Sequence, residues 1–172
     1  MVLGVLAESN DQRVAITPEH IPLLTAMGIQ KVLIESDAGK RASYSNQQYT
    51  EKGAELLSRM EVLNQSDAVV CIQPIEQQEL AVLKGKVLIG GFNPLVNTSF
   101  VREALQEGVS AFSLDVIPRT TRAQAMDILS SMATVSGYKA VLLAATHLPR
   151  FFPMFMTAAG TITPAKVLVL GA

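Results

Sequence analysis

The sequence has one cysteine, no tryptophan and only two histidines in 172 residues. A single cysteine, Cys71, excludes an internal disulfide and suits a reducing, cytosolic compartment. It lies in the apolar run Ala68-Val69-Val70-Cys71-Ile72, where a thiol reads as buried filler. Two histidines and one cysteine are too few for a familiar zinc site. His20, beside Glu19, falls near a helix start and His147 near a helix end, so both read as surface or helix-end residues. Ser130-Ser131 lacks the Gly-x-Ser-x-Gly setting of a hydrolase nucleophile. Charge is sparse as well, at 17% charged residues and a net charge of -1, with no run of Lys or Arg. That excludes the concentrated basic patch a nucleic-acid partner requires. Residues 1–8 have neither the basic start nor the cleavage site of a secretory signal and read as a strand. No uninterrupted run of about 18 apolar residues occurs, so no membrane span is expected. The nearest candidate, residues 128–148, is broken by Ser130, Ser131, Ser136, Gly137, Lys139 and His147, and reads as a buried helix of a soluble domain.

What is present is a large apolar fraction, 49%, enough to bury a sizeable core. The length suits one domain, or one domain and part of another. Residues 2–6, 31–35, 67–72, 86–90, 109–114 and 166–170 are rich in Val, Ile and Leu and read as strands. Several are apolar without alternation, the pattern of strands covered on both faces of a parallel sheet. Helical segments lie between them. Thr17-Pro18-Glu19 has the form of a cap followed by a first-turn proline, and Gly28 supplies a stop. Pro22 lacks the N–H an interior position would use, so that helix either begins there or is kinked. Asn97 caps a second helix that carries Phe100, Val101, Ala104 and Leu105 as a stripe and ends at Gly108. Residues 46–52 and 75–83 are shorter candidates. Strand–helix–strand repetition predicts an α/β, doubly wound, mostly parallel sheet, without internal repeats.

A boundary is predicted after Val116-Ile117-Pro118, where the polar stretch 119–127 leads into the long helix from Ile128. The expected organisation is a first domain over residues 1–127, then residues 128–172 as a linking helix and the start of a second, Rossmann-type domain. On spacing alone, Asp127 is an N-cap with Ser130 in support, and Arg119 and Arg122 are solvated. The final stretch Pro164-Ala165-Lys166-Val167-Leu168-Val169-Leu170-Gly171-Ala172 is a strand running into a glycine. Gly171 stands where the first glycine of a dinucleotide-binding Gly-x-Gly-x-x-Gly would.

Several pieces together carry a family resemblance. Glu8, Arg13-Val14-Ala15-Ile16-Thr17-Pro18, Ala38-Gly39 and Lys52-Gly53-Ala54 resemble the opening shared by alanine dehydrogenases and transhydrogenase alpha subunits. The deciding stretch is Pro118-Arg119-Thr120-Thr121-Arg122-Ala123-Gln124-Ala125-Met126-Asp127-Ile128-Leu129-Ser130-Ser131. Gly137-Tyr138-Lys139-Ala140, Arg150-Phe151-Phe152-Pro153, Thr157-Ala158-Ala159-Gly160-Thr161-Ile162 and Pro164-Ala165-Lys166-Val167 follow in order. This order and spacing is similar to the alpha subunit of proton-translocating NAD(P) transhydrogenases, over almost the whole chain. The family often has Ile-Ser where this chain has Thr120-Thr121, and Ser at Ala125, changes that fall between the key side chains.

The resemblance implies an N-terminal part of an oxidoreductase subunit. Its full-length form would bind NAD(H) and exchange a hydride with NADP(H) on a partner domain, coupled to proton translocation by membrane domains. It implies NAD(H) contacts from Arg119, Gln124, Asp127, Ser130 and Gly171, with Gln124 and Asp127 nearest the chemistry. It further implies a homodimer and a soluble part at the inner, cytoplasmic face of the membrane, or the matrix side if mitochondrial. Hydride transfer between nicotinamide rings needs no protein acid, base, nucleophile or metal, only polar groups that clamp and align. An arginine fork, a glutamine and an aspartate make such a set. Two alternatives stand beside this reading. An alanine dehydrogenase uses Arg, Lys and His in this first domain; here Arg13 matches, but Ile72 and Asn93 stand at about the other two positions. Arg13 could equally tether the first loop to Glu8 or Asp11. The other alternative is a non-catalytic binding or assembly module. The rest of the glycine loop and its helix do not lie within residues 1–172, so this piece alone is expected not to bind NAD tightly and to self-associate or be partly disordered near its C-terminus.

Overall fold

The computed structural model describes residues 1–171. They fall into two compact units, Met1–Asp127 and Ile128–Ala172.

The first unit is built on β1 (Val2–Val5), β2 (Lys31–Glu35), β3 (Glu55–Leu57), β4 (Ala68–Val70), β5 (Val87–Gly90) and β6 (Ser110–Ser113). They form one sheet in the order β3-β2-β1-β4-β5-β6, with every pairing parallel. The chain winds outward from β1 to β3, then returns past β1 to β4 and winds the other way. The sheet is therefore doubly wound, with its switch point between β1 and β4. Side chains of successive residues on β2 feed two different cores. Leu33 packs with Leu6, Leu63, Val69, Leu88 and Phe92, whereas Val32 and Ile34 pack with Val5, Ile21 and Tyr49. Both faces need apolar residues, which is why the inner strands read as continuous runs.

Helices α1 (Ile21–Ala26), α2 (Asn46–Glu51), α3 (Arg59–Gln65), α4 (Gln77–Leu80) and α5 (Thr98–Gln106) make the crossovers. A 3-10 turn, Pro18–His20, precedes α1. The Thr17 hydroxyl bonds Glu19 and His20 instead of capping. Pro22 sits in the first turn of α1, where its missing N–H costs nothing. Gly28 then ends the segment at φ +98°, a conformation that favours glycine. Asn97 caps α5 by accepting the Phe100 N–H. The predicted α5 stripe is only half used: Phe100 and Ala104 are buried, but Leu105 is 78% exposed. At the end of β5, a Cβ on Gly90 would lie 2.6 Å from the Cys71 carbonyl, so the two loops beyond β4 and β5 approach closely because that residue is glycine. Cys71 is buried as expected, and burial pushes its thiol up to about 12.

Two elements go beyond the sequence reading. β3 is three residues long and only partly covered, too short to show a period. α3 starts from a capping box of Ser58 and Glu61, a Ser-x-x-Glu signature that is visible in the sequence.

The second unit contains α6 (Ile128–His147) and an antiparallel hairpin of β7 (Phe155–Thr157) and β8 (Gly160–Ile162). The hairpin was not foreseen, and two expectations are corrected. The long helix was expected to be buried, but none of its residues is. Its apolar residues lie all round its circumference, and a short hairpin cannot cover them. By length and composition alone, α6 is also apolar enough to cross a membrane, because its interruptions are mostly small residues that barely lower the average. The segment 166–170 was expected to be a strand; among the described residues it pairs with none, and Val167 to Leu170 are exposed. A strand exists only where another supplies its hydrogen-bond partners, and apolar composition does not provide one.

Candidate functional site

The polar stretch 119–127 follows β6 and a 3-10 turn, Leu114–Val116. Buried Ala123 pins it. The Thr120 carbonyl accepts the N–H groups of Ala123 and Gln124, at 2.9 and 3.0 Å, which opens a second 3-10 turn, Gln124–Met126. The Asp127 N–H then donates to the Gln124 carbonyl at 3.2 Å. This double turn folds the loop back so that Arg119 Nε lies 4.0 Å from Asp127 Oδ2. The Asp127 side chain is 8% exposed and that of Arg119 74%, so the acceptor is held while the fork reaches outward. Gln124 is exposed on the same loop. Ser130 lies in the first turn of α6, its carbonyl accepting the Thr134 hydroxyl, and Gly171 has φ +76°. Both belong to the second unit.

A different polar cluster lies at the switch point. The Glu8 carboxylate accepts the Ile72 N–H at 2.6 Å and the Gln73 N–H at 3.1 Å. Burial raises its pKa, against the lowering effect of those two amides. Arg59 spans the neighbouring strands: it donates to Glu35 at 2.9 Å, to both oxygens of Glu79 and to the Ala7 carbonyl at 3.0 Å. Burial opposes ionisation of Glu79, and Arg59 outweighs it, leaving that pKa lowered. Leu6, Ala7, Glu8, Asn10, Arg59 and Gln73 help line a small cavity of about 140 Å³ there. Arg13 grips Asp11 through Nε and Nη2, at 2.5 to 3.1 Å, and holds that carboxyl down at about 2. Of the two tethers open in the sequence, the short-range one to Asp11 is therefore formed. A roomier groove, about 350 Å³, lies along α5 and β6, but Phe92, Pro94, Phe100, Val101 and Leu105 make it apolar and it holds no titratable group.

Residues 4–136 match the family described as alanine dehydrogenase/PNT, N-terminal domain, and residues 140–172 match the corresponding C-terminal domain. The chain belongs to the alanine dehydrogenase/PNT family.

Within that family it sides with the transhydrogenases. It is 38% identical to the NAD(P) transhydrogenase subunit alpha of Haemophilus influenzae, over 100% of this chain and 34% of that protein. It is 39% identical to the NAD(P) transhydrogenase subunit alpha of Cereibacter sphaeroides, over 94% of this chain and 31% of that protein. A transhydrogenase structure from Sinorhizobium meliloti superposes with a TM-score of 0.89 at 32% identity, over 96% of this chain and 50% of that one. Alanine dehydrogenase 1 of Staphylococcus aureus is more distant, 29% identical over 86% of this chain and 39% of that protein. The chain thus spans between about a third and a half of the length of these relatives.

Against the dehydrogenase branch, Ile72 has no polar side chain; its N–H goes to Glu8 and its carbonyl accepts from the Gly91 N–H. Asn93, at φ +47°, gives its N–H to Asp115 at 2.8 Å. An apolar side chain cannot pair with a carboxylate, and an amide cannot act as a general acid near neutral pH. The sequence reading did not foresee the roles of Glu8 and Arg59. The available signal was a carboxylate shortly after an apolar strand, which has to find donors wherever that strand ends.

Proposed function

We propose that this chain is the N-terminal part of a transhydrogenase alpha subunit whose full-length form binds NAD(H) and passes a hydride to or from NADP(H) held on a partner domain. The observation that carries the reading is the doubly turned loop 119–127, in which Asp127 is held and Arg119 and Gln124 are presented. The residues fit a nicotinamide nucleotide: the Arg119 fork suits an amide oxygen or a phosphate, Gln124 can both donate and accept, and Asp127 accepts from a ribose hydroxyl or carboxamide N–H. The same reading gives Ser130 and Gly171 nucleotide contacts, through a hydroxyl and a backbone without a side chain. The nicotinamide, when bound, supplies the carbon that gives or takes the hydride. The chain's own work is to orient that ring and hold water away, bringing the reacting carbons to roughly 3–3.5 Å. No proton has to move at a protein atom. Proton coupling, a homodimer and a position at the inner face of the membrane belong to the same reading and would depend on domains of the longer protein.

The test uses the full-length protein, with Arg119→Ala, Gln124→Ala and Asp127→Asn. Gln124→Ala and Asp127→Asn are expected to slow NADH-dependent reduction of an NADP analogue by about 10- to 100-fold. Arg119→Ala is expected to raise the Kd for NADH by about tenfold. All three should keep the parent's thermal unfolding. Three variants with unchanged rate and unchanged Kd would remove the loop from the site. Reduction of pyruvate with ammonia and NADH would instead favour the dehydrogenase alternative.

A further inference from the structure

In an open parallel sheet, the crevice beyond the carboxyl ends of the strands at the switch point is where an anionic ligand normally sits. In this chain that crevice contains a carboxylate of its own. Glu8 comes three residues after the end of β1 and is 9% exposed. It takes the Ile72 and Gln73 N–H groups, one on each oxygen. These are the first amides beyond β4 that are not committed to the sheet, since the Cys71 N–H goes to the Ile89 carbonyl. Arg59 is engaged by Glu35, Glu79 and the Ala7 carbonyl, and Arg41 by the carbonyls of Glu8 and Ser9. The connection from β1 to α1 has no glycine between Gly4 and Gly28, and a helix start does not follow β1 directly. The elements that bring a pyrophosphate onto a helix N-terminus are therefore missing here.

We propose that Glu8 is a built-in carboxylate ligand that fills the anion cradle of the first unit and closes it to nucleotide phosphate. Glu8 acts independently of loop 119–127, which the test below leaves untouched. A phosphate approaching the β1/β4 crevice would meet a buried negative charge, with Asp11 close by, and two donors already used. The shape left by removing Glu8 is that of a small carboxylate held by two backbone amides.

The experiment is Glu8→Ala, titrated with sodium acetate against sodium chloride at equal ionic strength. Thermal unfolding and the amide resonances of Ile72 and Gln73 are the readouts. The variant should lose stability, and acetate should restore at least half of the lost Tm saturably while shifting both amides; the parent protein should not respond. Recovery that chloride matches, or no recovery in a folded variant, overturns the proposal. So does inorganic phosphate shifting the Ile72 and Gln73 amides of the parent. If Glu8→Ala does not fold with or without acetate, Glu8→Gln decides. It keeps the size but offers one acceptor oxygen and no charge, so it should be less stable and should displace the Gln73 amide. Parent-like stability with both amides unmoved overturns the proposal.

Discussion

In the first unit Val5, Leu33 and Leu88 are fully buried between a sheet and its helices, whereas in the second unit the 20-residue helix α6 buries nothing. Both draw their apolar residues largely from Val, Leu, Ile and Ala. What differs is the arrangement. On β2 of the first unit, alternate side chains go to two cores, and each core has helices to close it. On α6 the apolar residues surround the axis, and the hairpin of the second unit covers no part of the helix well enough to bury a residue. Burial comes from having a second surface, and hydrophobicity alone does not supply it.

The largest expected effect tests that difference directly. Leu33→Ala should cost about 3–4 kcal/mol in chemical denaturation, through lost transfer energy and the cavity left in a closed core. Val141→Ala on α6 should change stability by no more than about 0.5 kcal/mol, as at an exposed site. Equal costs would break the comparison and show that α6 is packed as a core element in solution.

Next in size is Arg59→Met, which leaves Glu35 and Glu79 without their shared cation. Arg59 is 28% exposed, so a loss of about 2 kcal/mol is expected, below that of a fully buried pair. A neutral result would mean that solvent screens the cluster as it would on an open surface.

Asn97→Ala should remove about 1 kcal/mol by freeing the Phe100 N–H at the start of α5. Hydrogen exchange at Phe100 is the local readout, and unchanged protection there would show that the cap is idle.

The smallest effect concerns Asp11. Arg13 lowers its pKa from 3.8 to about 2. A lowered carboxylate pKa stabilises the fold above the unfolded value and loses that contribution as pH falls through the folded one. The pair should therefore contribute fully above about pH 4 and fade toward pH 2. With Arg13 47% exposed, the contribution should stay below about 1 kcal/mol. In Arg13→Met, an NMR titration should return Asp11 to near 3.8; a value still near 2 would assign the shift to the backbone amides.

Much of the first unit was legible because its signals are local. Lys31–Glu35 is a strand with the expected bounds, and Asn97 and Gly28 act as the cap and stop their residue types suggest. β3 escaped because three half-covered residues carry no period. The loop 119–127 was legible as a motif, but spacing alone could not tell a solvated arginine from one turned back toward Asp127. That geometry depends on two consecutive 3-10-type turns and a buried Ala123.

By itself the sequence determined the α/β class, the parallel habit of the inner strands and the burial of the Cys71 thiol. Each of these follows from residue type and short-range spacing, which the chain carries in one dimension. Only the tertiary structure decided which strands neighbour β1, that Glu8 meets the amides of Ile72 and Gln73 across 64 and 65 residues, and that no residue of α6 is buried. Those outcomes depend on which distant segments lie side by side, and the pairing of surfaces is settled when the whole unit closes around its cores.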